Sequence, residues 1–248
     1  MNFKIEWFEL IDSTNTYALN NASVHHDLSV FAAEFQTAGR GQRGNQWESR
    51  RGENLTFSIL LKPDNLKAKN QFAITQAVTL ALTDYLRGLG IAAKIKWPND
   101  IYIGVNKTSG ILIENILGGD KLTASVIGIG LNFNQMEFDP TIPNPTSIRK
   151  ELLKAGVDNY FDVKKELPVV LECFSKYIPY ISDEARHNMD EVYLERLYKI
   201  GVESGFKDNL TGEELHATIT GVEDDGKLIL KTQQGEIKRF YFKEVSYL

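Results

Sequence analysis

An α+β fold is predicted by two features of the 248-residue sequence. Short apolar or alternating runs, each long enough for one strand, are interspersed with two long and two shorter helical patterns. After Gly201 the helical patterns stop, and only short alternating runs separated by turn residues remain. We therefore predict an α+β domain over residues 1–198 and a small all-β domain over residues 199–248.

Local patterns place the elements of the first half of the chain. Ser13 or Thr14 can cap a short helix that runs to about Asn21. Apolar residues at spacings of three and four predict a longer helix over residues 71–89. The turn at residues 118–120 (GGD) lies between alternating runs and indicates a hairpin. The strand-like segments are FKIEWFELIDS, LSVFAAEFQ, NLTFSILLKP, the strand–turn–strand AAKIKWPNDIYI, KTSGILIENIL and LTASVIGIGLNFN.

The second half of the chain begins with a loop and then becomes helical. Residues 134–147 contain three prolines and are predicted to be irregular. Residues 162–181 predict a helix with Pro168 in its first turn, where the missing N–H is tolerated. A further helical pattern covers residues 190–198. In the all-β domain, turns are expected at Asp225-Gly226 and Gln234-Gly235.

Composition narrows the class of protein. Hydrophobic residues make up 42% and charged residues 25%, as in an ordinary globular protein. The formal net charge of -5 argues against a general nucleic-acid binder. The single cysteine, Cys173, has no partner for an internal disulfide, which suits the cytoplasm. Neither a signal peptide nor an apolar run long enough for a membrane span is recognisable.

Residues 39–44 (GRGQRG) match the glycine spacing of two nucleotide-binding motifs. A dinucleotide fingerprint requires a helix after the third glycine, but a polar stretch leading into a strand follows here. A P-loop requires Lys and Ser or Thr after its last glycine, where this chain has Asn45 and Gln46. Both motifs are therefore excluded by their context. Two interpretations remain: a phosphate-binding loop with arginines at 40, 43, 50 and 51, or a solvated surface loop.

This glycine–arginine loop is expected to lack internal anchors. Residues 39–44 include three glycines and no apolar side chain, so ordering the loop costs conformational entropy. We expect its arginines to gain partners only when a phosphate arrives.

A second group of polar residues and glycines occurs at strand ends. Glycine inside a strand often marks the close approach of a ligand or of another backbone. Taken singly, each of these features has another interpretation: the glycines as bulges, the asparagines as turn residues and the neighbouring tryptophan as part of the core. Together these residues indicate a site on one stretch of sheet; they are Lys96, Asn99, Asp100, Lys107, Gly110, Gly128, Gly130, Asn132 and Asn134.

Five segments of the chain, in order, resemble the biotin–protein ligase family. They are DSTN, QTAGRGQRGNQW, KWPNDIY, KTSGILIE and GIGLNFN. The resemblance extends from about Ile5 to the end of the chain. It implies a mixed-sheet catalytic domain related to class II aminoacyl-tRNA synthetases, followed by an SH3-like barrel. Because DSTN begins at Asp12, the chain is most similar to the short, monofunctional members that lack an N-terminal DNA-binding domain.

The resemblance also implies a two-step reaction. The carboxylate of biotin attacks the α-phosphate of ATP, which gives biotinyl-5′-AMP and pyrophosphate. A lysine of a biotin carboxyl carrier protein then attacks this mixed anhydride and releases AMP. Because a carboxylate must approach a polyphosphate, positioning and charge neutralisation would supply most of the catalysis.

Roles for individual residues follow from the matching motifs. Lys107 would lie between the biotin carboxylate and the α-phosphate, a place that suits a compact ammonium. Asp100 would orient Mg²⁺ or the acceptor amine, and Arg40 would close over both substrates. The implied biotin-binding residues are Ser13, Thr14, Asn15, Gln36, Arg40, Gly41, Gln42, Lys107 and Gly110. The implied ATP-binding residues are Arg40, Arg43, Trp47, Lys96, Asn99, Lys107, Asn132 and Asn134.

Some features depart from the family pattern or limit the prediction. Gln42 stands where an arginine is common, and Asn45 and Gln46 replace basic residues, so the loop is less basic than usual. The four histidines show no metal-ligand spacing, so we predict no protein metal site and expect Mg²⁺ to enter with ATP.

Three other classes of protein compete with this interpretation. A lipoate–protein ligase shares the adenylation chemistry, but its motifs are not recognisable and the C-terminal β domain argues against it. A DNA-binding regulator conflicts with the acidic balance, and a non-catalytic binding protein would not require Lys107. We expect the carrier protein to be the partner, with no nucleic acid and no membrane. A free sheet edge would allow a homodimer.

Overall fold

A computed structural model of the chain describes residues 1–248, apart from the side chain of Arg43. The helices are α1 (Thr14–Asn20), α2 (Phe72–Gly88), α3 (Ile148–Lys154), α4 (Val163–Ser175) and α5 (Asp190–Glu195). The strands are β1 (Lys4–Phe8), β2 (Ser29–Ala33), β3 (Leu55–Leu61), β4 (Ala93–Lys96), β5 (Asp100–Ile103), β6 (Asn106–Gly118), β7 (Lys121–Leu131), β8 (Glu203–Asp208), β9 (Glu214–Val222), β10 (Leu228–Thr232), β11 (Ile237–Phe240) and β12 (Val245–Tyr247).

The first seven strands form one mixed sheet in the order β1-β2-β3-β7-β6-β5-β4. Only β1 and β2 pair in parallel, with α1 in the connection between them, and the other neighbours are antiparallel. The long hairpin of β6 and β7 lies at the centre, and its turn is at Gly119 and Asp120. The α+β prediction, the helix near residues 71–89 and this hairpin are confirmed.

The two faces of this sheet pack against different helices because side chains alternate along each strand. On one face, α2 and α4 cover a large apolar core that includes Phe57, Ile127 and Ile129. On the other face, α1 packs on a smaller cluster that includes Phe31 and Val126. Beyond that smaller cluster, the α1 face of β3, β6 and β7 carries mostly glycines and small polar residues, which leaves space above the sheet.

The last five strands form a second, antiparallel sheet in the order β11-β10-β9-β8-β12. Its turns lie at the two predicted positions, between β9 and β10 and between β10 and β11. The sheet is fastened to the first domain by a buried hydrogen bond, in which Trp97 Nε1 donates to the carbonyl oxygen of Gly226 at 2.9 Å. The C-terminal strands are therefore positioned beside the segment that joins β4 to β5.

Two helical predictions need correction. Pro168 lies inside α4 and not in its first turn, because Asp162 caps the helix and makes Val163 its first residue. The side chain of Asp162 accepts a hydrogen bond from Lys164 N at 3.2 Å, which fixes that start. The sequence patterns also did not indicate α3, which follows the proline-rich loop and is capped by Ser147. Among the described residues, the helices are too short or too polar for any to cross a membrane.

Candidate active site

A cleft of about 670 Å³ opens on the α1 face of the sheet. Beneath it lie two rows of neighbouring residues on β3, β7 and β6, of which Gly110, Leu112, Gly128 and Gly130 line the cleft. Thr56, Gly130 and Gly110 form the first row, and Ser58, Gly128 and Leu112 form the second. Residues that pair across strands share a face, so five of these six positions offer only a small polar side chain or none. The cleft exists because this face carries so little side-chain volume.

One end of the cleft presents a network of hydrogen bonds at the start of α1. Ser13 caps the helix, and its Oγ accepts from Thr16 N at 3.4 Å. The side-chain oxygen of Gln36 accepts from both N and Oγ1 of Thr14, at 2.8 and 3.2 Å. Ser58 Oγ is 2.7 Å from Thr14 Oγ1, which ties the network to the sheet. Within the described structure, the amide nitrogen of Gln36 donates to no other residue and is available to a ligand.

Asn15 occupies the space above Gly128 in the second row. A Cβ at position 128 would lie 2.1 Å from Asn15 Oδ1, so only glycine fits beneath this side chain. Asn15 is buried and binds Ser58 Oγ at 2.6 Å, the carbonyl oxygen of Leu112 at 3.4 Å and Glu114 Oε2 at 3.0 Å. With its amide used by protein groups, Asn15 shapes the end of the cleft.

Trp47 lies over the first row of the floor. A Cβ at position 130 would be 2.1 Å from Trp47 Cε2, and one at position 110 would be 2.9 Å from Cζ3. The glycine signal in these strands therefore marks the approach of side chains of this chain, Trp47 and Asn15, and not of another backbone. The indole nitrogen of Trp47 is buried and has no hydrogen-bond partner among the described residues.

The other end of the cleft carries charged groups. Lys107 Nζ lies 2.7 Å from Asp100 Oδ1 and 6.0 Å from the centre of the Trp47 ring. Lys96, opposite Asp100 across β4 and β5, donates to Tyr102 Oη at 3.0 Å. The ammonium of Lys96 is also 5.0 Å from the ring centre of Tyr247, a residue of the C-terminal sheet. Both domains therefore contribute to this end of the cleft.

Buried polar atoms without partners concentrate in the cleft. Within the described structure, four of the eight such side-chain atoms belong to residues that line it: Gln42 Oε1, Trp47 Nε1, Asn132 Oδ1 and Tyr247 Oη. Burial raises the pKa of the Tyr247 hydroxyl above its ordinary range, so this group remains a neutral donor. Because buried polar groups are normally hydrogen-bonded, these atoms indicate a polar ligand in the cleft.

The glycine–arginine loop is held by the protein itself. Gly41 N donates to Asn45 O at 2.7 Å and Trp47 N donates to Gly39 O at 3.0 Å, so the loop closes as a small hairpin. Arg40 donates from Nη1 and Nη2 to the two carboxylate oxygens of Glu114, at 2.9 and 2.8 Å. The expectation that the arginines of this loop stay without partners until phosphate arrives is therefore wrong for Arg40.

Nearly all residues predicted for the site line this one cleft. They are Ser13, Thr14, Asn15, Gln36, Arg40, Gly41, Gln42, Trp47, Lys96, Asn99, Asp100, Lys107, Gly110 and Asn132. Asn99 Nδ2 donates to Ile111 O, which holds the β4–β5 turn against β6. The prediction for Arg43 falls on a side chain outside the described residues.

Asn134, predicted to contact ATP, is not among the residues that line the cleft. Its side chain donates to Phe161 O and accepts from Phe161 N, both at 2.9 Å. Asn134 is buried and holds the segment before α4 in place. The same motif thus contains a cleft residue, Asn132, and a structural residue two positions further on.

Several residues of the site were missed by sequence reasoning. Glu114 ends the motif KTSGILIE and lies two residues after Leu112 on the same face of β6. This alternation along the strand could have indicated that Glu114 belongs near the site. Ser58 had the same signal on β3. The proline-rich loop and the C-terminal sheet also line the cleft, through Phe138, Ile142, Pro143 and Tyr247 among others. Only the tertiary structure brings these segments to the site.

His187 shows no metal-ligand spacing in the sequence, but the fold places it beside two carboxylates. Its Nδ1 is 2.8 Å from Asp190 Oδ2 and 3.8 Å from Asp224 Oδ1, and the ligand atoms of the three residues lie within 4.8 Å of one another. Arg186 already pairs with Asp224 at 2.9 Å. This exposed group does not line the cleft and remains separate from its chemistry.

Comparison with known proteins assigns the class of protein that this fold and cleft define. Residues 7–132 match the biotin/lipoate A/B protein ligase family, and residues 209–247 match the biotin protein ligase C-terminal domain. The chain belongs to the biotin/lipoate A/B protein ligase family. Within that family, the C-terminal match and the named relatives identify it as a biotin–protein ligase.

The relatives cover nearly the whole chain. It is 31% identical over 233 residues to the biotin–[acetyl-CoA-carboxylase] ligase of Paracoccus denitrificans, which covers 90% of this chain and 92% of the relative. It is 30% identical over 230 residues to the bifunctional ligase/repressor BirA of Bacillus subtilis, covering 92% of this chain and 68% of the relative. The biotin protein ligase of Aquifex aeolicus, solved in complex with biotin and ATP, matches with a TM-score of 0.77 and 27% identity over 98% of this chain and 97% of that one.

Proposed function

We propose that the cleft binds biotin and ATP together and joins them as biotinyl-5′-AMP. The enzyme then transfers the biotinyl group to a lysine of a biotin carboxyl carrier protein. The observation that carries this proposal is the arrangement of one cleft into two unlike ends. Thr14 and Gln36 offer hydrogen-bonding groups at the β3 side, and Lys96 and Asp100 offer charges at the β4–β5 side.

Lys107 lies between these ends, above β6. Its Nζ would be 3.2 Å from a Cβ on Gly110 of β6. A neutral ring that accepts hydrogen bonds fits the β3 side, and a polyphosphate fits the charged side. Their reacting groups, a carboxylate and an α-phosphate, then meet near the ammonium of Lys107. A fixed cation at that point neutralises the repulsion between the two anions.

The two steps follow from this placement. A carboxylate oxygen of biotin attacks the α-phosphorus, the bond to the bridging oxygen breaks, and pyrophosphate leaves. The acceptor amine, after losing its proton, attacks the carbonyl carbon, and the bond to AMP breaks. Asp100 is the carboxylate within the cleft nearest to Lys107, so it orients the incoming amine or the cation that accompanies the phosphates.

The residues present fit a Mg²⁺ ion that arrives with ATP. Asp100 supplies one carboxylate in the cleft, and Mg²⁺ in nucleotide sites is usually held by one or two carboxylates together with substrate phosphates. The ion supplies charge neutralisation on the phosphates when bound. Asp100 is the residue that would hold it, and Lys107, now paired with Asp100, would then face the reacting carboxylate.

We also propose the binding partners of the enzyme and its location in the cell. A carrier protein must present its lysine at the open side of the cleft, which is lined by the proline-rich loop and the C-terminal sheet. The net charge of -5 supports a protein that does not bind DNA sequence-specifically. The exposed edge strand β1 would allow a homodimer by strand pairing, and the unpaired Cys173 suits the cytoplasm.

Pyrophosphate release tests the proposed function. We expect release on mixing the enzyme with ATP, Mg²⁺ and biotin, and far less with lipoate in place of biotin. Addition of a carrier domain should then yield AMP and a biotinylated lysine, detected by mass spectrometry, while a carrier with that lysine replaced by arginine remains unmodified. Release that depends on lipoate and not on biotin would identify a lipoate ligase, and no release with either would refute an adenylating enzyme.

A further inference from the structure

Glu114 lies outside the cleft lining, but its carboxylate bonds to two residues that line the cleft, Arg40 and Asn15. Its two carboxylate oxygens accept hydrogen bonds from the two terminal nitrogens of Arg40, at 2.9 and 2.8 Å. Oε2 also accepts Asn15 Nδ2 at 3.0 Å. One carboxylate on β6 therefore joins the glycine–arginine loop to the beginning of α1.

The position of Glu114 follows from the register of the sheet. Gly110, Leu112 and Glu114 alternate along β6 on the face that carries the cleft. Glu114 pairs across the sheet with Val126, one row beyond Leu112 and Gly128. It thus lies just past the floor, where a carboxylate can reach the loop without entering the ligand space.

The fork geometry makes this contact stronger than a typical surface pair. A guanidinium and a carboxylate joined by two parallel hydrogen bonds have a fixed mutual orientation. By comparison, Arg50 and Glu137 near the same loop share a single contact of 3.1 Å, with Glu137 80% exposed. The side chain of Glu114 is 25% exposed. Each terminal nitrogen of Arg40 gives one of its two hydrogens to Glu114, so the guanidinium is held towards β6.

We propose that Glu114 is a positioning residue that holds the glycine–arginine loop over the cleft before substrate binds, acting through Arg40 and Asn15. Arg40 then serves the site as a clamp to β6 and not as a direct contact to the substrate anions. The loop hairpin brings Trp47 onto the floor, because Trp47 N donates to Gly39 O next to Arg40. Loss of the clamp would loosen the wall that Trp47 forms. The consequence for catalysis rests on the proposed function, whereas the holding of the loop does not.

Hydrogen exchange in the ligand-free protein tests the clamp without reference to any reaction. The amides of residues 39–47, which include the bonded Gly41 and Trp47, should exchange roughly fivefold or more faster in Glu114→Ala and Glu114→Gln than in the wild type. Glu137→Ala is the matched control and should leave these amides unchanged. Unchanged exchange in Glu114→Ala would overturn the proposal. An equal acceleration in β3 and β7 would do the same, because it would show general destabilisation.

A double-mutant cycle tests whether Arg40 acts through Glu114. Arg40→Ala, Glu114→Ala and the double variant are compared by the KM for biotin and by kcat in pyrophosphate release. If the two residues form one clamp, each single change raises KM by about the same factor, and the double variant is no worse than either. Additive losses, with the larger loss in Arg40→Ala, would show a direct ligand contact and overturn the clamp. Absence of pyrophosphate release in the wild type would refute the proposed function and leave the exchange result standing.

Discussion

The indole of Trp47 lies directly on the backbone of Gly130, where a Cβ would be 2.1 Å from Cε2. Such an approach is impossible for any other residue without displacing the ring or the strand. Position 130 pairs with Thr56 on β3 and with Gly110 on β6, so the ring rests on the central strands of the sheet. Trp47 can therefore form this wall of the cleft only because residue 130 is a glycine and has no Cβ.

Gly130→Ala should displace Trp47 and disable the cleft. We expect pyrophosphate release to fall at least tenfold and tryptophan fluorescence to shift to longer wavelength, because the ring moves towards solvent. Gly88→Ala is the matched control, since a Cβ at position 88 meets nothing within 4 Å and should change neither signal. Full activity in Gly130→Ala would show that the ring is not part of the working site.

Lys107→Ala should remove adenylation while the fold persists. The pair with Asp100 is partly exposed, so its loss should cost about 1 kcal/mol of stability or less. Loss of a fixed cation at the reacting groups should lower kcat and kcat/KM together by about 10²-fold or more. The exposed Lys121, at the start of β7, gives the control variant Lys121→Ala. Near-normal activity in Lys107→Ala would contradict the role of this ammonium.

Gln42→Arg should lengthen the retention of biotinyl-5′-AMP. Gln42 lines the cleft, and its side-chain oxygen is buried without a partner within the described structure. A charge-assisted contact to the adenylate contributes about 1.5–3 kcal/mol when desolvated, so release should slow by about tenfold or more. The rate is measured by filter binding after a chase, with Gln234→Arg in the distant β10–β11 turn as control. Unchanged or faster release would mean that position 42 is not a charged lid.

Asn134→Ala should destabilise the protein without changing ATP binding. It leaves the N–H and the C=O of Phe161 without their partners, which costs about 2–6 kcal/mol at roughly 1–3 for each buried group. Urea denaturation measures the loss. A raised KM for ATP at unchanged stability would instead support the nucleotide contact that the motif implied.

Cys173 should react slowly with alkylating reagents in the folded protein. Burial raises the pKa of its thiol, so less thiolate is present at a given pH than in the unfolded chain. We expect iodoacetamide at pH 8 to modify the native protein much more slowly than the protein in urea, with Cys173→Ser as the blank. The native rate should rise as the pH is increased towards the raised pKa. Equal rates in the native and unfolded protein would contradict a buried thiol.

The sequence by itself determined the family, most of the helices and strands, and most of the motif residues that line the cleft. Periods of two and of three to four identified α2 and the β6–β7 hairpin, because these patterns reflect burial along a single element. The motif residues Lys107, Asp100 and Gln36 were recognisable without a structure because they lie in short segments of distinctive composition.

Tertiary structure alone decided what each of these residues contacts. Whether a glycine admits a ligand or a side chain depends on distant segments, so Gly130 could not be assigned to Trp47 in advance. Likewise Arg40 meets Glu114 across 74 positions of sequence, and Asn134 turns away from the cleft to bind Phe161. A local pattern specifies which face a residue occupies. The partner on that face is set by sheet register and by packing between elements far apart in the chain.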